Sequence, residues 1–217
     1  MVRTSLGVPP PLARRANRVF RPRDAEAIYA HPRTELARLA RLGALRRLAT
    51  GYYALVPQER LGDLRWKPSL DAAALGLAQA DYGTSDVALM GVSAARHHGA
   101  TPRALAVAVV AVPKQRPVLQ GEIGRVVFVK RDVRRLDVER IDTQLGSGWV
   151  TTVEQTLLDL ADRPTLGGLT DTDVTEAVRA LAARANWSLV SQLAQGQHKP
   201  AALRVAARLS QRDDARA

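Results

Sequence analysis

The stretch Leu36-Ala-Arg-Leu-Ala-Arg-Leu-Gly-Ala-Leu-Arg-Arg-Leu-Ala-Thr-Gly-Tyr-Tyr-Ala-Leu55 decides the fold of the N-terminal part of the chain. Its first leucines recur every three residues, and this spacing keeps them on one face of a helix. Proline suits the first turn of a helix, so the pattern predicts a helix from about Pro32 to Leu42. Gly43 follows directly, and glycine is common just beyond a helix end.

Shorter segments on both sides extend this pattern. Downstream, Ala44–Ala49 and Tyr52–Val56 flank the turn dipeptide Thr50-Gly51, and this arrangement predicts a β-hairpin. Upstream, Leu12–Val19 and Asp24–Ala30 are bounded by prolines and are predicted to form two short helices. Three short helices followed by a hairpin is the order of a winged helix-turn-helix. We therefore expect residues 1–57 to form a winged helix-turn-helix domain that binds double-stranded DNA.

The helix predicted over Pro32–Leu42 has two different faces. Leucines lie on one face, and Thr34, Arg38 and Arg41 cluster on the opposite one. Arginine binds phosphate and reads guanine in the major groove, so this second face suits a recognition helix. It also fits an ordinary solvated face of an arginine-rich protein. With the first helical turn and the hairpin included, the candidate DNA-binding residues are Arg33, Thr34, Arg38, Arg41, Arg46, Arg47, Tyr52 and Tyr53.

Positive charge is concentrated near the N-terminus. The 217-residue chain has a formal net charge of +11. Residues 1–57 hold 11 Arg, no Lys and 3 acidic residues, a net charge of +8. The other 160 residues hold 21 basic and 18 acidic side chains, a net charge of +3. A polyanion is the expected partner of so basic a segment.

The rest of the chain indicates a second domain. Residues 58–67 are a charged connector, and residues 68–217 are predicted to form an α/β domain that ends in helices. The aliphatic run Leu105–Val112 and the run Gly124–Val129 are the clearest strand candidates; Val138–Leu145 and Trp149–Thr152 are weaker ones. The predicted helices are Leu70–Ala80, Asp86–His98, Thr152–Asp162, Asp171–Arg184, Trp187–Ala194 and Pro200–Gln211. The expected fold class is therefore α+β.

The composition argues against several function classes. The absence of cysteine excludes disulfides, cysteine zinc fingers and thiol catalysis. No signal peptide and no apolar run of membrane-spanning length is evident, so we expect a cytoplasmic protein with no membrane partner. A nuclease would need magnesium-binding acids at strand ends, but Glu122, Lys130 and Asp132 lack the required spacing. No phosphate loop or nucleophile elbow is present, and we expect neither catalysis nor a cofactor.

Two polar groups have both a structural and a functional interpretation. His97-His98 is the one local histidine cluster; it suits a helix cap or packing contact, and zinc would need two or three further ligands. The second group comprises Thr152, Glu154, Thr156 and Asp159. Here Thr152 suits a helix N-cap and Glu154 the first helical turn, which favours a structural role, with partner binding as the alternative.

Several of these segments together resemble a known family. The stretch Leu36–Leu55 resembles the winged-helix start of AbiEi-type antitoxins. Val92–Gly99 is similar to that family's "serine-alanine-x-x-x-histidine-glycine" helix end, and Val107–Pro113 to its aliphatic strand ending in "valine-proline". Val150–Leu160 resembles its "threonine-x-glutamate-x-threonine-leucine-leucine-aspartate" motif. The resemblance spans nearly the whole chain in the same order, and departs from the family in the proline-rich N-terminus.

The resemblance implies a function. Such antitoxins are encoded beside a nucleotidyltransferase-like toxin, bind repeats in their own promoter through the N-terminal domain, and repress transcription. Their C-terminal domain is associated with antitoxin activity and multimerisation. The implied partners are double-stranded promoter DNA, the cognate toxin and further copies of the chain on DNA. Two alternatives stay open: a stand-alone winged-helix regulator with a ligand-sensing or dimerisation domain, and a DNA-processing enzyme.

Overall fold

A computed structural model of the chain describes residues 7–101 and 106–211. Within these ranges the fold is α+β, with eight α-helices and two β-sheets. The helices are α1 (Pro10–Ala13), α2 (Pro32–Arg41), α3 (Leu70–Tyr82), α4 (Val92–His97), α5 (Val153–Asp162), α6 (Asp171–Ala182), α7 (Trp187–Gly196) and α8 (Pro200–Ser210). The strands are β1 (Val19–Phe20), β2 (Leu45–Ala49), β3 (Tyr52–Leu55), β4 (Ala88–Leu89), β5 (Val107–Val112), β6 (Leu119–Gly121), β7 (Gly124–Lys130), β8 (Val138–Thr143) and β9 (Gly146–Thr151).

The N-terminal sheet has the strand order β1-β3-β2 and is antiparallel throughout. Strands β2 and β3 form the predicted hairpin, and Gly51 in the turn has the positive φ of 78° that glycine readily adopts. Helix α2 has the predicted start at Pro32, and its last residue, Arg41, is followed by the C-cap Leu42. Its buried Leu36 and Leu39 pack with Phe20 into a small core beneath the sheet. The helix and the hairpin are thus confirmed.

The predicted helix over Leu12–Val19 is wrong. Helix α1 ends after one turn, and Val19–Phe20 is instead the strand β1 that pairs with β3. The side chain of Asn17 explains the change, because its amide oxygen accepts the N–H of Val19 at 3.0 Å and holds the backbone in a turn. A side chain that bonds its own backbone in this way competes with helix formation.

The predicted helix over Asp24–Ala30 is also wrong. The segment forms a single 3₁₀ turn, Pro22–Ala25, followed by further turns. The carboxylate of Asp24 accepts the N–H of Arg21 at 2.7 Å and closes that turn locally. The following proline, Pro32, holds His31 outside the helical region, so the segment has too few residues for a regular helix.

The larger sheet has six strands in the order β6-β7-β5-β4-β9-β8. The pairs β5–β7 and β4–β9 are parallel and the other neighbours are antiparallel. The predicted strands over residues 105–112 and 124–129 correspond to β5 and β7, although Leu105 lies outside the described residues.

The first half of the helix predicted over Asp86–His98 is wrong. Val87–Met90 contributes the buried strand β4, and α4 begins only after Gly91, whose φ is 54°.

The central strand β5 separates two apolar cores. Val110 faces a core that includes α3, whereas Val109 faces the core that α5, α6, α7 and α8 build on the other side of the sheet. The α3 core also contains Val19 and Leu48 from the N-terminal sheet, so α3 lies between the two sheets. The predicted connector over residues 58–67 holds one 3₁₀ turn, Gln58–Arg60.

Candidate functional site

Helix α2 presents three of the eight predicted DNA-binding side chains to solvent. Arg33, Thr34 and Arg41 are exposed, and none of them has a side-chain hydrogen bond or ion pair within residues 7–101 and 106–211. Arg38 is half-buried and donates from its Nε to Glu35, one turn earlier, at 2.9 Å. The helix is ten residues long, or about 15 Å. It therefore offers an unpaired basic face of a length that a major groove accommodates.

The tip of the hairpin adds to this basic surface. Arg47 on β2 is exposed and donates to the hydroxyl of Thr50 at 3.2 Å. A groove of about 520 Å³ lies between the start of α2, the 3₁₀ turn and the hairpin tip. Its charged lining residues are Arg21, Arg23, Arg33, Arg47 and Glu26. The start of the helix and the hairpin tip thus form one continuous cationic surface.

The other candidate residues are engaged inside the protein. Arg46 donates to Glu122 at 2.6 Å and to the carbonyl of Leu64 at 2.9 Å. Tyr52 and Tyr53 are buried on opposite faces of the N-terminal sheet. The structure therefore divides the eight candidates into a surface group on α2 and the hairpin tip and an inward group of Arg46, Tyr52 and Tyr53. The exposed Arg23, which was not among the candidates, lies beside the surface group.

Asp81 on α3 joins the N-terminal sheet to the larger sheet. Its carboxylate accepts Arg21 at 2.5 Å and the Tyr52 hydroxyl at 2.7 Å, and it also accepts Arg116 from the loop after β5. The guanidinium of Arg116 stacks 4.3 Å from the ring centre of Phe128. Burial, and then the hydrogen bond to Asp81, raise the pKa of Tyr52 above its ordinary value. This cluster fixes the orientation of the basic surface relative to the rest of the chain.

The polar set at the start of α5 forms structural contacts. Thr152 caps α5 by accepting the N–H of Gln155 at 3.3 Å and donates to Asp137 at 2.7 Å. Glu154 accepts the N–H of Asn186, just before α7, at 2.8 Å. Thr156 is buried and bonds Thr151. These contacts fit the structural role that we predicted from the sequence.

Asp159 lies at the centre of a buried charge cluster. Its side chain is 1% exposed and accepts Lys199 from the start of α8 at 3.2 Å. Arg131 lies 3.7 Å from the same carboxylate. Burial raises the pKa of Asp159, and the charges of Lys199 and Arg131 oppose that rise. Because Lys199 also contacts Asp162 at 3.1 Å, the cluster ties α8 to α5.

A wide cleft opens beside this cluster, at the end of β7. Its volume is about 850 Å³, and its opposite wall is formed by α7, through residues such as Gln192, and by His198 just after that helix. Its charged lining residues are Asp86, Lys130, Arg131, Asp132, Arg134 and Arg135. The cleft lies at the carboxyl ends of the parallel strands β5 and β7, a common position for ligand sites in α/β sheets.

Comparison with known proteins bears on the second half of the chain. Residues 86–211, more than half of the chain, match the family described as "AbiEi antitoxin C-terminal domain". No curated protein matches the chain significantly. Among the described residues, no helix is both long enough and apolar enough to cross a membrane.

Proposed function

The chain belongs to the AbiEi antitoxin family, and we propose from this membership that it represses its own promoter and counteracts a nucleotidyltransferase-like toxin. Membership supports an antitoxin role in a toxin–antitoxin system and a regulatory rather than enzymatic kind of protein. Promoter repression and the identity of the toxin are the further parts of the proposal.

The observation that carries the DNA-binding part is the unpaired basic surface of α2 and the hairpin tip. Arg33 and Arg41 are exposed cations without a protein partner among the described residues, and Arg47 extends their surface to the hairpin. We assign α2 as the helix that enters the major groove, where its arginines contact phosphates and base edges, and the hairpin as the wing that adds contacts to the phosphate backbone. Arg46 and Tyr52 hold β2 and β3 in place through their bonds to Glu122 and Asp81.

The fold has one departure from a standard winged helix. A helix-turn-helix has a full helix before its recognition helix, whereas this chain has only the turns that follow Pro22–Ala25. The N-terminal sheet compensates, because Leu36 and Leu39 of α2 pack on Phe20 and Leu45 from two of its strands. In this proposal the sheet, rather than a preceding helix, holds α2 against DNA.

The experiment is a gel-shift titration of the full chain with its own promoter fragment. The double variant Arg33→Ala/Arg41→Ala removes two unpaired cations and should weaken binding by about 10-fold or more, since each good arginine contact contributes about 1–3 kcal/mol. The matched control, Arg204→Ala/Arg208→Ala, removes two exposed arginines of α8. The control variant's affinity for the promoter fragment should stay within about twofold of the wild-type affinity. Equal losses of affinity in the two variants would contradict the assignment of α2 as the recognition helix.

The toxin-counteracting part has a separate test that keeps the full chain. The Arg33→Ala/Arg41→Ala variant should still restore growth when expressed with the neighbouring nucleotidyltransferase-like toxin, because the family match lies wholly beyond α2. It should no longer repress a promoter reporter. Loss of both activities in a folded variant would contradict a division of labour between the two parts of the chain.

A stand-alone regulator is the second candidate, and the cleft of about 850 Å³ favours it, because a cleft of that size accommodates a small ligand. The adjacent reading frame distinguishes the two functions. A nucleotidyltransferase-like gene beside this one supports the antitoxin, and a chain that represses with no toxin gene nearby supports the regulator.

A further inference from the structure

The fold brings a third polar group to the histidine pair at the end of α4. Glu139 lies on the edge strand β8, and its Oε1 is 3.9 Å from Nε2 of His97 and 4.0 Å from Nδ1 of His98. These separations are too long for hydrogen bonds. One carboxylate oxygen therefore faces two imidazole nitrogens, and the three atoms all lie within 4.8 Å of one another.

The ring of His98 is held in the orientation that a metal ligand needs. Its Nε2 lies 2.8 Å from the carbonyl oxygen of Thr151, which only accepts, so Nε2 carries the proton. The other nitrogen, Nδ1, then keeps its lone pair and points towards Glu139. Ligating histidines commonly donate their second N–H to a backbone carbonyl in this way, because that bond fixes the tautomer and the ring. The side chain of His98 is only 8% exposed, which holds it in place.

We propose that His97 Nε2, His98 Nδ1 and Glu139 Oε1 bind a divalent transition-metal ion of the zinc class. Two imidazole nitrogens and one carboxylate oxygen suit Zn²⁺ and similar ions, and three protein ligands leave at least one position for water. Ligand atoms about 2.0–2.1 Å from a tetrahedral ion are roughly 3.4 Å apart, so the two gaps to Glu139, of 3.9 and 4.0 Å, must each close by about half an ångström. His97 and Glu139 are 40% and 49% exposed and are able to move towards the fixed ring of His98.

The expected consequence of the ion is a link between the end of α4 and the edge strand β8. Glu139 pairs through its backbone with Val150 of β9, next to the Thr151 that orients His98. A metal ion at this point would connect the strand pair β8–β9 to α4 a second time. It would therefore stabilise the folded chain increasingly as the concentration of the free ion rises above its dissociation constant.

Calorimetric titration of Zn²⁺ into the untagged full chain tests the proposal. One ion should bind per chain, and His97→Ala and Glu139→Gln should each weaken its affinity by about tenfold or more. Both side chains are half-exposed, so these variants should fold. His31→Ala and His198→Ala remove exposed histidines elsewhere and should leave the affinity unchanged.

Two readouts make the outcome decisive. Zn²⁺ should raise the thermal midpoint of the wild type and of both control variants, but not of His97→Ala or Glu139→Gln at the same ion concentration. Cobalt(II) should show visible absorption bands with the wild type that Glu139→Gln weakens. Absent binding, or an affinity that His97→Ala and Glu139→Gln leave unchanged, would overturn the proposed site.

Discussion

Replacing Asp81 with asparagine should destabilise the fold because three donors converge on its carboxylate. The substitution keeps the size of the side chain and removes its charge. Arg21 and Arg116 would then face each other around a neutral amide, and the Tyr52 hydroxyl would compete with them for one weak acceptor. The Asp81 side chain is 11% exposed, so water replaces the lost interactions poorly.

The expected loss of stability follows from how exposed the two arginine partners of Asp81 are. Removing one member of a buried ion pair costs about 3–5 kcal/mol, whereas exposed pairs contribute about 0–1 kcal/mol. The Arg21 and Arg116 side chains are 34% and 19% exposed, which places this cluster between those limits. We therefore expect Asp81→Asn to lower the free energy of unfolding by about 2–3 kcal/mol. That is a large fraction of the stability of a typical domain.

Urea unfolding at pH 7, followed by tryptophan fluorescence, measures this change directly. The matched control is Asp86→Asn, which removes the same charge from an exposed side chain with no hydrogen bond or ion pair in the described ranges. The control should change the free energy of unfolding by less than about 0.5 kcal/mol. A loss below about 1 kcal/mol for Asp81→Asn would refute the view that this carboxylate joins the two sheets.

Two further perturbations test other parts of the fold. Lys199→Met should destabilise the chain by about 2 kcal/mol at neutral pH, measured by urea unfolding, because it leaves the buried Asp159 carboxylate with Arg131, 3.7 Å away, as its cationic partner. This loss of stability should shrink as the pH falls towards about 4. Without Lys199 the pKa of Asp159 rises further, so the folded variant takes up a proton on Asp159 that relieves the buried charge. A loss of stability that does not change with pH would contradict this. Gly43→Ala should cost more stability than Gly51→Ala, although φ is positive at both positions. A Cβ at residue 43 would lie 2.7 Å from the Cα of Gly62, whereas a Cβ at residue 51 meets nothing within 4 Å. Equal decreases in the thermal unfolding midpoint would contradict this difference in packing.

The sequence predicted α2 and the hairpin well because their signals are local. Leucine spacing, Pro32 at the helix start and glycine at both turns depend on neighbours only a few residues away. The N-cap role of Thr152 is a signal of the same kind. Local patterns of this kind specify short elements without reference to the rest of the chain.

The first predicted helix failed because its segment has distant partners as well as the local turn at Asn17. Val19–Phe20 becomes a strand by pairing with β3, and Asn17 also donates to the carbonyl of Gly76 on α3 at 3.0 Å. Without β1, the sequence predicted a two-stranded hairpin, and Tyr52 and Tyr53 were therefore counted among the DNA-binding candidates. In the three-stranded sheet, β3 is central and both of its faces are covered, which is why Tyr52 and Tyr53 are buried.

Distant contacts, which local sequence patterns do not show, also decided the roles of the charged residues in the candidate sites. Arg46 has the same local sequence signal as Arg47, and the positions of the Leu64 carbonyl and of Glu122 in the β6–β7 turn separate their roles. The histidine pair was evident in the sequence, but Glu139 comes close to it only through the pairing of β8 with β9. Long-range sheet pairing decided these contacts, and periodicity carries no information about it.

The salt dependence of promoter binding tests the central claim most directly. Fluorescence anisotropy of a labelled promoter fragment gives the slope of log affinity against log salt concentration for the wild type, Arg33→Ala/Arg41→Ala and Arg204→Ala/Arg208→Ala. Each lost phosphate contact reduces the slope by about 0.9. The α2 variant should therefore show a slope shallower by up to about 1.8, with the control unchanged. Identical slopes for all three proteins would contradict a DNA-binding surface on α2.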